Sequence, residues 1–457
     1  MFAIPGICAL IFFIFARPQE YFESLQKVPL LYIFCAAALG GFIVDLRLRK
    51  LQPIAAPTLP IACMFLGWCV VCDIARTPDQ LIGQLVELAI LFVLYATIAH
   101  AVQGFRAFQV VAGCVMITCL GLAFVCAHQG YQDHRCVAID EGKPGEGVPD
   151  DRPCETAEVC YGRGAEPGNE YVCERVGLFR TFTVEDRVRY RGDLQDPNEM
   201  ALTITTLGAS LLVAFAIRKR NGPWTFFAIL GCMLVAETVI ESQSRGGLVV
   251  MLIVAAVYFV KRYGPAGLIA GAVLGAPLMM LGGRSGESAD ESTQLRYEAW
   301  DAGLRMFKGS PVFGVGHRQF GEYFFLTAHN SYVLTLAELG MVGQVLFVSL
   351  LFLNFKMLWI GIRDLSSVPG AEAARTWGLA LFAALCAITF QIFTLSFAYH
   401  PMLWIFFGFC GAWASAVRRH RPDFTVKLVF RDVVMIVIAC LVFTFLVLPL
   451  YLRYKGA

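Results

Sequence analysis

Residues His329 to Phe355 read HNSYVLTLAELGMVGQVLFVSLLFLNF, a polar His-Asn pair that leads directly into an apolar run long enough to cross a membrane. Two glycines, Gly340 and Gly343, lie one helical turn apart inside that run. A histidine at the rim of an apolar helix is costly to desolvate, and imidazole titrates near neutrality, which suits it to take a proton from a hydroxyl. The pattern therefore predicts either a general base at His329 or a His-Asn turn that caps a helix.

The rest of the chain repeats such apolar runs. Hydrophobic residues make up 57% of the 457 residues, charged residues make up 16%, and the mean hydropathy is +0.63. About 20 apolar residues cross the ~30 Å hydrocarbon core as a helix, and these runs lack the alternation of a barrel strand. We expect an all-α polytopic membrane protein with about 12 to 13 transmembrane helices. The predicted spans are 3–17, 29–46, 57–75, 81–101, 107–127, 197–217, 223–242, 246–260, 265–282, 333–355, 376–397, 401–417 and 432–452.

Basic residues indicate the orientation of the chain. They cluster after the second, sixth, eighth and twelfth predicted spans, so every cluster falls on the same side if the spans alternate. The positive-inside rule makes that side cytoplasmic, so we expect the N-terminus inside and the C-terminus outside. No basic segment or small-residue cleavage site precedes the first apolar run, which we interpret as a retained span. The clusters are Arg47, Arg49 and Lys50; Arg218, Lys219 and Arg220; Lys261 and Arg262; and Arg418, Arg419, Arg421 and Lys427.

Two long polar loops, at about 128–196 and 283–332, fall on the outer side in this topology. We therefore divide the chain into N-terminal helices (1–127), the first outer loop, a core (197–355) that includes the second outer loop, and C-terminal helices (356–457). No GxxxxGK[ST] or GxGxxG run occurs, so ATP-driven transport and dinucleotide chemistry have no support. The net charge of +2 gives no argument for nucleic acid as a partner.

Four of the sixteen cysteines lie in the first outer loop, and the others lie in or beside predicted spans. Four thiols in a loop exposed to an oxidising compartment predict two disulfides, with three possible pairings. A four-cysteine zinc site is the alternative, although these four include no CxxC pair. Because Gly, Pro and acidic residues dominate the front half of the loop, we expect irregular structure held by disulfides. The four are Cys136, Cys154, Cys160 and Cys173.

Both outer loops carry charged segments. Five arginines in the back half of the first loop form either an anion-contacting strip or a solvated hairpin, because guanidinium groups bind phosphate and carboxylate through paired donors. In the second loop, Tyr297, Trp300, Leu304 and Phe307 recur at helical spacing and predict an amphipathic helix in the outer interface. The arginines of the first loop are Arg175, Arg180, Arg187, Arg189 and Arg191.

The predicted span at 223–242 ends beside Ser244-Arg245-Gly246-Gly247. Arg245 can pair with Glu241, which lies four residues before it on one helix face. Alternatively, the two glycines let an anionic group approach closely while the permanent charge of Arg245 holds it.

Together these motifs resemble the O-antigen ligase and polymerase superfamily of multi-span membrane glycosyltransferases. The spacing of His329-Asn330, Gly340 and Gly343 is that of the ligase signature. The part of the chain that resembles the family covers about residues 190–355. Asp196-Pro197-Asn198 and the N-terminal Arg17-Pro18-Gln19-Glu20-Tyr21 are also similar to this family. The motifs are Ser244-Arg245-Gly246-Gly247, Arg296 with Trp300, Pro311-Val312-Phe313-Gly314-Val315-Gly316, and His329-Asn330 followed by Gly340 and Gly343.

The resemblance implies a function and a set of site residues. It implies a glycan donor on undecaprenyl diphosphate in a bacterial inner membrane, with the active site facing the periplasm and with no metal, nucleotide or other cofactor. His329 would be the general base that activates the acceptor hydroxyl, and Arg245 and Arg296 would hold the diphosphate. Further candidates for substrate contact are Arg191, Asn198, His317, Arg318, Asn330 and Tyr332.

Three acceptors remain open: lipid A core for a ligase, a lipid-linked repeat for a polymerase, and a protein Ser or Thr for an O-oligosaccharyltransferase. The His-Asn motif favours the ligase. The alternative from another class is a transporter or flippase for the same lipid-linked glycan, which the number of spans favours. Against it, the charges cluster at the outer mouth rather than at the membrane midplane, and the two halves show no repeat.

Overall fold

The computed structural model describes residues 1–139, 147–218, 222–267, 269, 271, 273 and 287–456. Among these residues, ten helices are long and apolar enough to cross a membrane, which confirms an all-α polytopic membrane protein. The helices are α1 (Ala3–Ala16), α2 (Glu23–Gln26), α3 (Leu30–Arg47), α4 (Leu59–Arg76), α5 (Leu81–Ala101), α6 (Phe105–Gly130), α7 (Pro197–Thr203), α8 (Ser210–Arg218), α9 (Pro223–Glu241), α10 (Arg245–Tyr263), α11 (Glu287–Gly309), α12 (Phe320–Tyr323), α13 (Ser331–Asp364), α14 (Glu372–Gln391), α15 (Pro401–His420), α16 (Phe430–Val442) and α17 (Leu448–Lys455).

The predicted spans and the observed helices correspond closely. Helices α7 and α8 form one span through a π-helical turn at Ile204–Ala209, and α16 and α17 do the same through Phe443–Val447. The predicted spans 3–17 and 401–417 correspond to α1 and α15, two helices that are outside the set of ten. The predicted span 265–282 lies largely outside the described residues.

The chain divides into two compact units, each interrupted in sequence. Unit 1 consists of Met1–Leu10, Leu31–Ala112 and Ser285–Ala457. Unit 2 consists of Ile11–Leu30 and Gly113–Arg284. The segment that carries His329 belongs to unit 1, and the segment that carries Arg245 belongs to unit 2.

Small residues set the helix packing in unit 1. Helix α15 lies against α5, and a Cβ at Gly408 or Gly411 would come within 2.8 Å of Ile98 or 2.7 Å of Ala99. Without side chains at these positions the two backbones approach closely, as is common for helices in membranes. The same helix buries Trp413, whose indole N–H donates to a backbone carbonyl at 2.7 Å.

The first outer loop contains a three-stranded antiparallel sheet, so the expectation of irregular structure in its front half is wrong. Strands β1 (His134–Ile139), β2 (Gly147–Pro153) and β3 (Glu170–Arg175) pair in the order β2-β1-β3. The Gly, Pro and acidic composition hid short strands whose Val, Ile and Tyr side chains suit a half-buried sheet. The register of the β1–β2 pair shifts between Arg135, which pairs with Pro153, and Val137, which pairs with Pro149, so the extra residues lie on β2.

The two predicted disulfides are present, and the structure selects one of the three pairings. Cys136 bonds Cys160, and Cys154 bonds Cys173. Cys136, Cys160 and the nearby Tyr171 form a small buried cluster that packs on the sheet. Because the disulfides use all four thiols of the loop, none remains as a thiolate ligand for the alternative zinc site.

The predicted amphipathic helix is α11, and its apolar face packs on protein. A Cβ at Gly303 would lie 2.6 Å from Val333 of α13, so the two helices are in close contact. Phe307 packs on Phe445 with ring centroids 6.0 Å apart. Arg305, on the opposite face, forms an ion pair with an aspartate one turn before it.

The disulfides predict a count of reactive thiols. Four cysteines are bonded and twelve are free, which accounts for all sixteen. Alkylation of denatured, unreduced protein should therefore label twelve cysteines by intact mass, and prior reduction should raise the number to sixteen. The paired variant Cys136→Ser/Cys160→Ser is the control and should still show twelve labels before reduction. Sixteen labels without reduction would contradict the disulfides.

Candidate active site

Helix α13 is broken at Gly340, where the backbone has φ 67° and ψ −169°. A continuous helix would use the preceding carbonyls internally, and an unpaired carbonyl inside a membrane costs several kcal/mol. Here the freed carbonyls find other donors in unit 1. The bonds are Val315 N–H to the Ala337 oxygen at 3.0 Å, Gly316 N–H to the Glu338 oxygen at 3.0 Å, and the Trp68 indole to the Leu339 oxygen at 2.9 Å.

Two glycines make this backbone contact possible. A Cβ at Gly340 would lie 2.2 Å from the carbonyl oxygen of Val312, and a Cβ at Gly314 would lie 2.3 Å from the carbonyl carbon of Glu338. Gly314 also has φ 63°, which favours glycine. The Pro311–Gly316 loop and the break in α13 therefore form one structural element, although they belong to two separate sequence motifs.

Asn330, and not His329, caps helix α13. The Asn330 side-chain oxygen accepts from the backbone N–H groups of Tyr332 at 3.0 Å and Val333 at 3.1 Å. His329 is half-buried and has φ 44°, a conformation that costs about 1–3 kcal/mol in a non-glycine residue and occurs often at active sites. Capping thus accounts for Asn330 and gives no reason for a strained histidine before it.

Helix α11 holds the segment before His329 in place. The Trp300 indole N–H donates to the carbonyl of Ala328 at 2.9 Å. Tyr451 packs against Trp300, with ring centroids 5.9 Å apart. Arg296 is partly buried and lies one helical turn before Trp300, so the turn that carries this guanidinium is fixed beside the His329 segment.

Four ionisable side chains meet in the interior of unit 1. His317 is fully buried, with Nδ1 3.6 Å from Oδ2 of Asp73 and its ring edge-on to Tyr399 at 4.3 Å. Its backbone N–H donates to Oδ1 of Asp73 at 3.0 Å. Glu338 interacts electrostatically with His317 and accepts from the backbone N–H of Phe320 at 3.0 Å. The His317 side chain is therefore directed to the interior of unit 1, where Asp73 and Tyr399 surround it.

Sequence reasoning missed Asp73. It lies one turn before the end of α4, it is fully buried, and both its oxygens face His317. An acidic residue within an apolar span is a signal in its own right, because it is costly there without a function or a partner.

Two further candidates in unit 1 make structural contacts. Arg318 is exposed and forms an ion pair with Glu87 at 2.8 Å. The Tyr332 hydroxyl donates to the carbonyl of Thr389 at 3.0 Å, and its ring packs on Phe393.

In unit 2, Ser244 caps helix α10 and thereby shapes the Ser-Arg-Gly-Gly turn. Its hydroxyl group accepts from the Gly247 N–H at 2.9 Å and donates its O–H to Oδ1 of Asn198 at 2.6 Å. Asn198 is held in turn by Oδ1 of Asp196, at 2.7 Å from its backbone N and 2.8 Å from Nδ2. Arg245 is the exposed first residue of the helix, where the N-terminal dipole adds to its own positive charge. This turn can therefore attract an anion.

The five arginines of the first outer loop all donate to backbone carbonyls of unit 2. This use favours a structural role over an open anion-contacting strip. Arg189 is 5% exposed and lies over the ring of Phe182, and burial lowers its pKa to about 10. The acceptors are Gly130 for Arg175, Pro149 for Arg180, Ser242 for Arg187, Phe182 for Arg189, and Phe179 with Arg180 for Arg191.

The N-terminal Arg17–Tyr21 motif packs on the end of this arginine segment. The Tyr21 and Tyr190 hydroxyls share a short hydrogen bond, and the Arg191 guanidinium lies over the Tyr21 ring at 5.2 Å. Burial raises the pKa of Tyr21 to about 12. Gly192 is required beside the motif because it has φ 57° and a Cβ there would overlap the Arg17 side chain.

The predicted site residues thus fall into two groups. In unit 1 the structure ties the Arg296 helix to the segment of His329 and Asn330. In unit 2 it joins Asn198 to the turn of Arg245.

Part of the chain is similar to a known protein family. The family model described as O-antigen ligase matches residues 230–348. This range contains Arg245, Arg296, the Pro311–Gly316 loop and His329. No curated protein matches the chain.

The break in α13 predicts a large effect of a methyl group at Gly340. Gly340→Ala should lower the free energy of unfolding by about 2 kcal/mol or more, from the positive φ and the overlap with Val312. Thermal unfolding in detergent, followed by tryptophan fluorescence, measures the change. Gly321→Ala is the matched control, because a Cβ there meets nothing within 4 Å. Equal melting temperatures for the two variants would show that the break is not needed.

The buried cluster predicts a stability role for Asp73. Asp73→Ala leaves the buried His317 N–H without its acceptor, which should cost about 1–3 kcal/mol. Asp79→Ala is the control. Asp79 lies six residues after Asp73 and is exposed, so its substitution removes a carboxylate without leaving a buried N–H unpaired. The same thermal measurement tests both variants, and an unchanged Asp73→Ala protein would contradict the role.

Proposed function

We propose that the protein is a member of the O-antigen ligase and polymerase superfamily and transfers a glycan from undecaprenyl diphosphate to an acceptor hydroxyl. The match of the O-antigen ligase family model to residues 230–348 supports the proposal. The observation that carries the proposal is the extent of the family match, since residues 230–348 include all three residues to which we assign chemistry. The membrane helices and the family both fit lipid and glycan substrates.

The proposed reaction forms one bond and breaks one. His329 takes the proton of the acceptor hydroxyl, and the resulting oxygen nucleophile attacks the anomeric carbon of the donor sugar. The bond between that carbon and the phosphate oxygen breaks, and undecaprenyl diphosphate leaves with the electron pair. A sugar diphosphate is already activated, so alignment, proton removal and charge neutralisation are what the protein must supply.

Arg296 and Arg245 are the proposed sources of that neutralisation. A guanidinium keeps its charge at any working pH and offers paired donors to phosphate oxygens. Support for Arg296 comes from the Trp300–Ala328 hydrogen bond, which holds its helix beside the His329 segment. Support for Arg245 comes from its position at a helix N-terminus whose dipole favours an anion. We assign no step to a metal or a nucleotide.

The strained backbone of His329 supports its assignment as the base. Asn330 and Ser331 are both buried and hydrogen-bonded, so the residue after His329 is anchored while its own ring is half-buried. A backbone anchored in this way holds the base of the His329 side chain in one place when a hydroxyl approaches it.

We place the reaction on the periplasmic side of a bacterial inner membrane, as the distribution of basic residues indicates. The acceptor is a lipid, a glycan or a protein. Among these we favour lipid A core, and thus a ligase, because the spacing of His329, Gly340 and Gly343 is that of the ligase signature. A deletion strain separates the cases: loss of long chains indicates a polymerase, and loss of only the attached glycan indicates a ligase.

The proposal predicts the effect of His329→Ala in a purified system. The full chain in detergent is given an undecaprenyl-diphosphate glycan and a panel of acceptors, and free undecaprenyl diphosphate is measured. Acceptor-dependent release should fall about 10²–10⁴-fold in His329→Ala, the range that a general base contributes. His420→Ala is the matched control, since this exposed histidine ends α15. It should release product at the native rate.

One pattern of results would overturn the proposal. In that pattern, no acceptor leads to release of undecaprenyl diphosphate, and the lipid-linked glycan crosses vesicle membranes at the same rate with the native protein and with His329→Ala. That outcome identifies a transporter.

A further inference from the structure

Unit 1 contains a cavity that the proposed chemistry does not use. Its volume is about 460 Å³, within the range of small-molecule sites. It opens where the end of α4, the last turns of α11 and the Pro311–Gly316 loop come together. Residues that line it include Arg76, Arg305, Ser310, Gly314, Tyr323 and Phe324.

Arg76 gives the cavity a positive charge that no carboxylate of the described residues neutralises by an ion pair. Its guanidinium donates to the hydroxyl of Ser310, a neutral partner. The side chain is exposed, so its remaining donors face the cavity and solvent. Gly316, which has φ 109°, lies beside its stem, and a Cβ there would come within 3.2 Å of the Arg76 Cβ.

A second guanidinium at the cavity is held only by a surface ion pair. Arg305 is 68% exposed and pairs with Asp301 at 2.5 Å on the same helix. Exposed pairs of this kind are worth little, so Arg305 can turn to a bound anion at small cost. Tyr323 and Phe324 add aromatic faces on which the apolar face of a sugar ring can pack.

The cavity is separate from the position of Arg296. Arg296 and Arg305 are nine residues apart on α11, which corresponds to about 14 Å along the axis and to opposite helix faces. A group held at the cavity is therefore not the diphosphate that Arg296 is proposed to hold.

We propose that the Arg76 cavity binds an anionic substituent, a phosphate or a carboxylate, of a sugar in the glycan substrate. The inference rests on the proposed function for the identity of that substrate. A planar guanidinium with donors left over, a neutral hydroxyl bonded to it and two aromatic side chains in the same lining together suit a charged sugar better than a neutral one. Arg76 and Ser310 thus act in recognition and take no part in bond making or breaking.

Binding of small probes tests the proposal without any transfer reaction. Glucuronate, glucose 6-phosphate and glucose are titrated onto the purified full chain in detergent and followed by ligand-observed NMR. The two anionic sugars should bind and glucose should not. Arg76→Gln should weaken the anionic sugars at least tenfold, and Arg76→Lys should weaken them less, because it keeps the charge and loses the paired donors.

Two controls separate this site from others. Arg363→Gln removes an exposed guanidinium at the far end of α13 and should leave probe binding unchanged. Arg296→Gln should also leave probe binding unchanged. Arg76→Gln should in turn leave the binding of undecaprenyl diphosphate unchanged.

Equal binding of glucose, or full probe binding by Arg76→Gln, would overturn the proposal. Loss of undecaprenyl diphosphate binding in Arg76→Gln would also overturn it, since Arg76 would then belong to the diphosphate site. Displacement of bound glucuronate by the lipid-linked donor identifies the donor glycan as the ligand, and displacement by an acceptor identifies the acceptor. A native chain that binds anionic sugars through Arg76 but transfers nothing would refute the proposed transferase and leave the cavity assigned.

Discussion

The backbone pairing between the Pro311–Gly316 loop and the broken turn at Gly340 is the constraint on which the unit 1 site depends. A helix inside a membrane cannot leave carbonyls unpaired, so the break exists only because the loop and the Trp68 indole supply N–H donors. The same pairing fixes the loop, and with it the residues at its two ends. One end leads back to α11 and Ser310, and the other leads into His317, whose side chain is buried against Asp73. The chain between this anchor and α13 then carries His329 in a conformation that local sequence would not choose.

The local sequence pattern predicts most of the helices. The features that it does not predict depend on contacts between residues that are distant in sequence. The apolar runs, the amphipathic α11 and the helix start after Asn330 follow from spacing along the chain, because helices satisfy their own backbone. The sheet of the first outer loop depends on pairing between strands that are distant in sequence, such as β1 and β3. The Gly, Pro and acidic residues of the loop conceal these strands. The contact of Gly314 with Glu338 is likewise invisible in the sequence, although Gly314 and Gly340 both belong to sequence motifs. The family resemblance, which the family model supports over residues 230–348, implies none of this geometry.

The arginines show why residue type alone is a weak guide to a site. Those of the first outer loop have the composition of an anion-binding strip, yet all five donate to backbone carbonyls of unit 2. Arg318 has a carboxylate partner at 2.8 Å. Arg245 and Arg76 differ in position: one begins a helix and adds to its dipole, and the other reaches a cavity from the end of a span. What a guanidinium can bind is decided by the acceptors that the fold has already placed around it.

The disulfides of the first outer loop join cysteines that are not opposite each other in the sheet. Cys136 and Cys173 face each other in register on β1 and β3, but each is bonded to a residue of the 154–160 segment. The sulfur atoms of Cys136, Cys154 and Cys160 lie within 4.8 Å of one another, so exchange among them needs little movement. If the strands pair before that segment docks, Cys136 and Cys173 are brought opposite each other, and any bond formed between them has to be exchanged for the two native disulfides. The order of docking therefore decides whether this loop matures directly or through a mispaired isomer.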